Sequence, residues 1–135
     1  EDDRSLLLRL FRSIGWPEEV EEEQLEMLAD LTSSGPAYIS ALLREFALEA
    51  SRRGAKVDVD LAEQLIKKSL IGTASLLEDM SFEDLIAMVA TKGGITEEGV
   101  KVIEAGSPEM FRQLFSATSA RHRLVKERIK DLDNR

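Results

Sequence analysis

The chain has 135 residues, 43% of them hydrophobic, which suits a single domain with a usable core. Its net charge of −8 and its 5% aromatic content oppose nucleic acid, which needs a basic surface and stacking rings, and also anionic membranes. The absence of cysteine excludes disulfides, thiol catalysis and thiolate-bound zinc.

No apolar run approaches the roughly 18–20 residues of a membrane span and no signal peptide is visible, so a cytoplasmic location is expected. Apolar residues recur at helical spacing almost throughout, and no segment reads as a strand, so an all-α fold is predicted. Leu6, Leu7, Leu10, Phe11 and Ile14 form a short amphipathic stretch that stops at Gly15 before Trp16-Pro17. Glu18 to Glu23 is an acidic run, read as a solvated linker plus the negative first turn of a helix. Leu25, Leu28, Ala29 and Leu31 predict a second helix ending at Ser33-Ser34.

A third helix is predicted from Ser34 or Gly35 as cap and Pro36 in the first turn, where a missing N–H costs little. Ile39, Leu42, Leu43, Phe46, Ala47 and Ala50 give it one apolar face. Arg52-Arg53-Gly54 is its expected end, with Gly54 free to turn left-handed. A fourth helix starts near Asp58 or Asp60 and carries Gly72 in its interior. That glycine costs about 1 kcal/mol relative to alanine, so close approach by another helix is expected there. Ser81 with Asp84 spells a capping box for a fifth helix over Phe82 to Ala90. A sixth helix is predicted to end at Gly106, and Ser107-Pro108 to open a long last one. Phe111, Leu114, Phe115, Thr118, His122, Val125, Ile129 and Leu132 place a stripe along that last helix, near a 3.5-residue repeat. Such a stripe implies packing against a second subunit as well as its own domain.

The chemistry is sparse. His122 is the only histidine, and with Arg121 and Arg123 beside it, it reads as a surface or interface residue. No Ser-His-Asp set, Gly-x-Gly-x-x-Gly loop or Walker loop is present, and the carboxylates read as solvated helix faces. Two glycine motifs stand out, Ser33-Ser34-Gly35-Pro36-Ala37-Tyr38 and Thr91-Lys92-Gly93-Gly94-Ile95-Thr96, each at an expected helix start. A helix start offers unpaired N–H groups and a positive dipole end to an anion. In the second motif Thr96 can cap the helix, and the loop could hold a carboxylate. A simple helix break with a threonine cap is the competing reading, and Gly-Gly followed by Thr does not separate the two. Glu97 and Glu98 favour the dipole but repel an anion, and Lys92 can offset that repulsion.

Taken together, Ser34-Gly35-Pro36-Ala37-Tyr38, Leu70-Ile71-Gly72-Thr73-Ala74, then Thr91, Gly93, Gly94, Thr96, Gly99, Ile103 and Glu104, and finally Phe111-Arg112, resemble the pyrroline-5-carboxylate reductases. The resemblance runs from about residue 5 to 128, in the family's order and spacing. It implies an interlocked helical dimerisation domain of about six to seven helices, like the C-terminal domain of 6-phosphogluconate dehydrogenase. It also implies residues 1–20 as the end of a segment from an N-terminal Rossmann domain, and residues 21–135 as the dimerisation and substrate-binding domain. The chain begins at Glu1 and enters a helix almost at once, so it is expected to be part of a longer protein.

By the same resemblance, the whole protein would use NADPH or NADH, bound by the N-terminal domain, to reduce 1-pyrroline-5-carboxylate to L-proline. This piece alone would be inactive. Thr91, Gly93, Gly94, Ile95 and Thr96 would contact the substrate, with Thr96 in the catalytic position. The partners implied are a second copy, or a higher oligomer, and a cyclic imino acid. Lys92 stands where the family has proline, Ile95 where it has a small residue or threonine, and Ser33 where it has glycine. These departures leave open a different substrate, or a reductase-like protein whose helical domain serves only for dimerisation.

Overall fold

The computed structural model describes residues 2–53 and 56–133 and, among them, contains helices and no strand. Helix α1 spans Asp3–Arg12, capped by the Asp2 carboxylate, which accepts from the Ser5 N–H at 2.7 Å. A linker then runs back along it, and Arg4 pairs with Glu19. A 3-10 turn, Glu22–Gln24, leads into α2, Leu25–Ala29. Helices α3 (Gly35–Arg52), α4 (Val59–Leu76), α5 (Phe82–Val89) and α6 (Ile95–Asp133) complete the chain.

The cap signals hold at α4 and α5. Asp58 accepts from the Leu61 N–H at 2.7 Å. Ser81 and Asp84 close the expected box, with Asp84 N donating to Ser81 Oγ at 3.1 Å. After α3, the left-handed residue among those described is Lys56, with φ +56°. Gly54, the expected site, lies outside the described residues.

Two predicted breaks do not occur. The chain passes from α2 through a π-helical turn, Asp30–Ser34, directly into α3. The α-helix α3 does begin at Gly35 with Pro36 in its first turn, as expected, but Ser34 has helical dihedrals and makes no side-chain cap bond, so no break separates it from α2. Proline explains the wider turn: Pro36 has no N–H for the carbonyl four residues back, and its ring crowds that carbonyl. The second absent break is at Gly106-Ser107-Pro108. There α6 runs unbroken for 39 residues with Pro108 inside it. Gly106 and Ser107 before the proline are poor helix formers, but on its other side Glu109 pairs with both Arg112 and Gln113 one turn on, the latter at 2.8 Å. Six α-helices result among the described residues, in the predicted all-α class.

Helices α3 and α4 form a hairpin around the tightest packing among the described residues. Ala47 and Ala62 are its buried apolar residues. Leu43, Ala47 and Ala50 turn inward, whereas Ile39, Leu42 and Phe46 of the same predicted face stay exposed, Phe46 at 66%. Gly72 meets no atom within 4 Å of where a Cβ would sit, so the expected close approach is not made within the described residues of this chain.

The accessible surface is 11649 Å². A compact monomer of this mass would expose about 7,000 Å². The difference is carried by apolar side chains on every helix, among them Leu10, Phe46, Ile71, Phe82, Val102 and Ile129. One chain alone is an open helical frame without a closed core.

Candidate functional site

The second glycine motif lies between α5 and α6. The Ala90 N–H donates to Ile86 O at 2.8 Å and ends α5. Gly94 N–H then donates to Thr91 O at 2.8 Å, closing a four-residue turn. Gly93, third in that turn, has φ +75°, while Lys92, the second, does not have a positive φ. This is a type II turn, whose third position is reserved for glycine and whose second suits proline. Gly94 is required for a different reason. A Cβ there would stand 2.6 Å from Thr91 Oγ1 and 2.9 Å from Thr91 O.

Helix α6 begins at Ile95, one residue past the turn. Thr96 is therefore the second helical residue and does not occupy the cap position expected of it. A cap must precede the helix to reach its N–H groups. Glu97 reaches back instead, and its Oε2 accepts from the Gly93 N–H at 2.6 Å. Glu98 N–H donates to Gly94 O at 3.4 Å, the first backbone bond of the helix. The N–H groups of Ile95, Thr96 and Glu97 precede that bond and have no acceptor within the helix. The backbone donors of Gly93 and Gly94 are thus engaged inside the loop. Those left facing outward belong to the first helical residues, beside the exposed Thr96 hydroxyl. Ile95 is 95% exposed and covers none of them. This edge can present several donors to a carboxylate at the positive end of a long helix.

A second polar centre went unread in the sequence. Asp30, in the π turn, is 5% exposed. Its Oδ1 lies 3.3 Å from His122 Nε2 on α6. The Thr118 hydroxyl, one turn earlier, holds the Asp30 carboxyl below its usual range, with His122 adding to this and burial opposing it. The joint extends one turn further along both helices. There Glu26 pairs with Lys126 at 2.6 Å, which lowers the glutamate and raises the lysine. His122 is therefore part of an internal joint between the α2 end of the chain and α6, 33% exposed on its side chain, and not a free surface residue. The available signal was two polar residues, Thr118 and His122, four apart within an otherwise apolar stripe.

The two glycine motifs do not meet within this chain. The joint below the Gly35 motif touches α6 at Thr118, about 33 Å along the helix from Thr96 at 1.5 Å per residue. Among the described residues no cluster of histidine and carboxylate side chains could hold a metal ion. No described helix is long and apolar enough to cross a membrane.

An all-helical frame with an incomplete core and a donor-lined loop at a helix start belongs to the class of helical subunit-pairing domains. Residues 22–125 match the family described as pyrroline-5-carboxylate reductase dimerisation, and the chain belongs to that family. It is 40% identical over 113 residues to pyrroline-5-carboxylate reductase 3 of Bacillus subtilis, covering 82% of this chain and 41% of that protein. It is 30% identical over 124 residues to ComE operon protein 4 of the same organism, covering 90% of this chain and 45% of the relative. The chain thus spans less than half the length of these curated relatives. In fold it is similar to a Plasmodium falciparum pyrroline carboxylate reductase solved with NADP bound. That match has a TM-score of 0.67 and 21% identity, and covers 87% of this chain and 46% of the other.

Proposed function

We propose that this chain is the C-terminal domain of an NAD(P)H-dependent reductase that converts 1-pyrroline-5-carboxylate to L-proline in the cytoplasm. Residues 1–20 would close the segment that leads from an N-terminal nucleotide-binding domain, and residues 21–135 would pair subunits and hold the substrate. The observation that carries this reading is the Thr91–Gly94 turn, which delivers outward-facing donors at the head of α6. Thr91, Gly93, Gly94, Ile95 and Thr96 form the substrate edge. Gly93 and Gly94 act through backbone shape, Thr91 and Ile95 line the loop, and Thr96 offers its hydroxyl.

The reaction adds a hydride to the ring C=N carbon and a proton to the nitrogen. A bound nicotinamide supplies the hydride. This chain's part is to bind the substrate carboxylate and so fix the ring carbon, which replaces a bimolecular encounter by a held geometry. The chain carries no Gly-x-Gly-x-x-Gly loop, so the dinucleotide is assigned to the other domain.

The partner is a second copy. Exposed apolar residues on every helix and the bare surface over Gly72 support closure of the core in a homodimer. Sedimentation of this chain as a monomer would contradict that assignment. A second reading is favoured by Lys92, which leaves the turn without its stiffening residue. On that reading, the protein uses the domain for pairing alone or acts on a different cyclic imine. Turnover of pyrroline-5-carboxylate by the full-length protein with NADPH and NADH separates the two. Turnover supports the first reading and its absence the second. The isolated chain should show no turnover with either cofactor.

A further inference from the structure

We infer that Glu97 is a positioning residue: its carboxylate fastens the Thr91–Gly94 turn to the first turn of α6, the task that a proline in place of Lys92 would otherwise perform. The kinetic consequence depends on the reductase reading; the geometry does not.

A type II turn is stiffest with proline second and glycine third, because proline presets φ and only glycine takes the positive φ freely. Here Lys92 holds the second place, and Gly93 and Gly94 follow it. Two glycines after an unrestrained residue leave the backbone many conformations to lose on ordering. The turn's own bond uses the Gly94 N–H, so it leaves the Gly93 N–H in need of an acceptor. Glu97 Oε2 supplies it at 2.6 Å, a charge-assisted contact.

The neighbouring residues keep that carboxylate in place. Lys101 Nζ lies 3.8 Å from the same Oε2, one helical turn on. Glu98, the adjacent acid, pairs with Lys101 at 2.7 Å and is 71% exposed on its side chain, against 33% for Glu97. Of the two glutamates, Glu97 is the one that reaches the loop. Its negative charge is thereby turned toward Gly93 and engaged by an internal donor. The Ile95 and Thr96 N–H groups stay available at the outer edge, held in one orientation relative to the turn.

The test uses the full-length protein as wild type, Glu97→Ala, Glu97→Gln, Lys92→Pro and the double variant Lys92→Pro/Glu97→Ala. Hydrogen exchange at the Gly93 amide should quicken about tenfold in Glu97→Ala and stay near wild type in Glu97→Gln, whose amide oxygen still accepts. The KM for pyrroline-5-carboxylate should rise about fivefold in Glu97→Ala with kcat within about twofold, and Glu97→Gln should restore it. In the Lys92→Pro background the same alanine substitution should cost less than about twofold in KM, because the turn is already stiff.

Unchanged Gly93 exchange in Glu97→Ala overturns the assignment. So does a glutamine variant as impaired as alanine, or an alanine penalty undiminished in the Lys92→Pro background. If the wild type shows no turnover, the reductase reading fails and the exchange comparison still decides the tether.

Discussion

The Thr91–Thr96 loop and the Asp30–His122 joint are both irregular points in long helical paths, and they treat polar atoms in opposite ways. At the joint, a nearly buried carboxylate lies 3.3 Å from His122 Nε2 inside the chain, beside Thr118, whose hydroxyl donates to Phe115 O. At the loop, the glycine donors are used internally, while donors of the first helical turn face solvent. Buried polar groups are paired because leaving them unpaired is costly. Exposed donors at a helix start are tolerated by water and can be exchanged for an anion. The contrast favours architecture as the role of the first region and substrate binding as the role of the second.

The sharpest way to break this contrast is Gly94→Ala. The added Cβ would overlap Thr91, so the turn must open, at a cost of about 1–3 kcal/mol. A loss of kcat/KM of tenfold to about a hundredfold is expected in the full-length protein, with the dimer intact by sedimentation. Next, if Thr96 binds the substrate carboxylate as proposed, Thr96→Ala would remove a charge-assisted hydrogen bond worth about 1.5–3 kcal/mol. It should lower kcat/KM by more than about tenfold without moving Tm. A change below about threefold would remove Thr96 from the substrate edge.

The joint should respond in stability and not in turnover. Asp30 is held below its ordinary value of 3.8 in the folded chain. Its contribution is therefore complete above that value and is lost as pH falls through the lowered one. Asp30→Asn should lower Tm at neutral pH, and the variant's Tm should fall less steeply than the wild type's below pH 3.8, with kcat/KM at neutral pH unchanged. A turnover loss matching that of Thr96→Ala would mean the two regions are not separate. The smallest effect is expected for Lys126→Ala. Lys126 is well exposed and its partner Glu26 only half-buried, so the Tm change should be below that of Asp30→Asn and shrink further in high salt.

Local chemistry was legible wherever one segment contained its own partners. The Ser81–Asp84 box is a feature of four consecutive residues and pattern alone locates it, while the α4 start was narrowed to Asp58 or Asp60 and the acidic first turn to Glu18–Glu23, with the structure choosing Asp58 and Glu22-Glu23. Proline was over-read. Pro36 and Pro108 carry strong local signals for a helix start, yet both lie in continuous helical paths. A single missing N–H costs a few kcal/mol, which a wider turn at one site and well-formed helix on both sides of the other can absorb. The Glu97 tether was half visible. Its charge at a helix start was clear, but its direction, toward Gly93 and away from an incoming anion, required the turn to be built.

Family membership followed from a handful of spaced residues, because motifs that are weak singly become specific when their order and separation agree. The all-α class followed from periodicity, since a 3.6-residue repeat of apolar side chains gathers them on one face only in a helix, whichever partner covers that face. The sequence by itself thus determined that the chain is helical and where the glycine turn falls, but not that α2 runs on into α3 or that α6 continues through Pro108. The tertiary structure decided which apolar faces stay bare, that Asp30 meets His122 across the fold, and which N–H groups at residues 93–97 are left without an acceptor. Those outcomes depend on contacts and turn geometry built in three dimensions, and a one-dimensional pattern carries no distance across the fold.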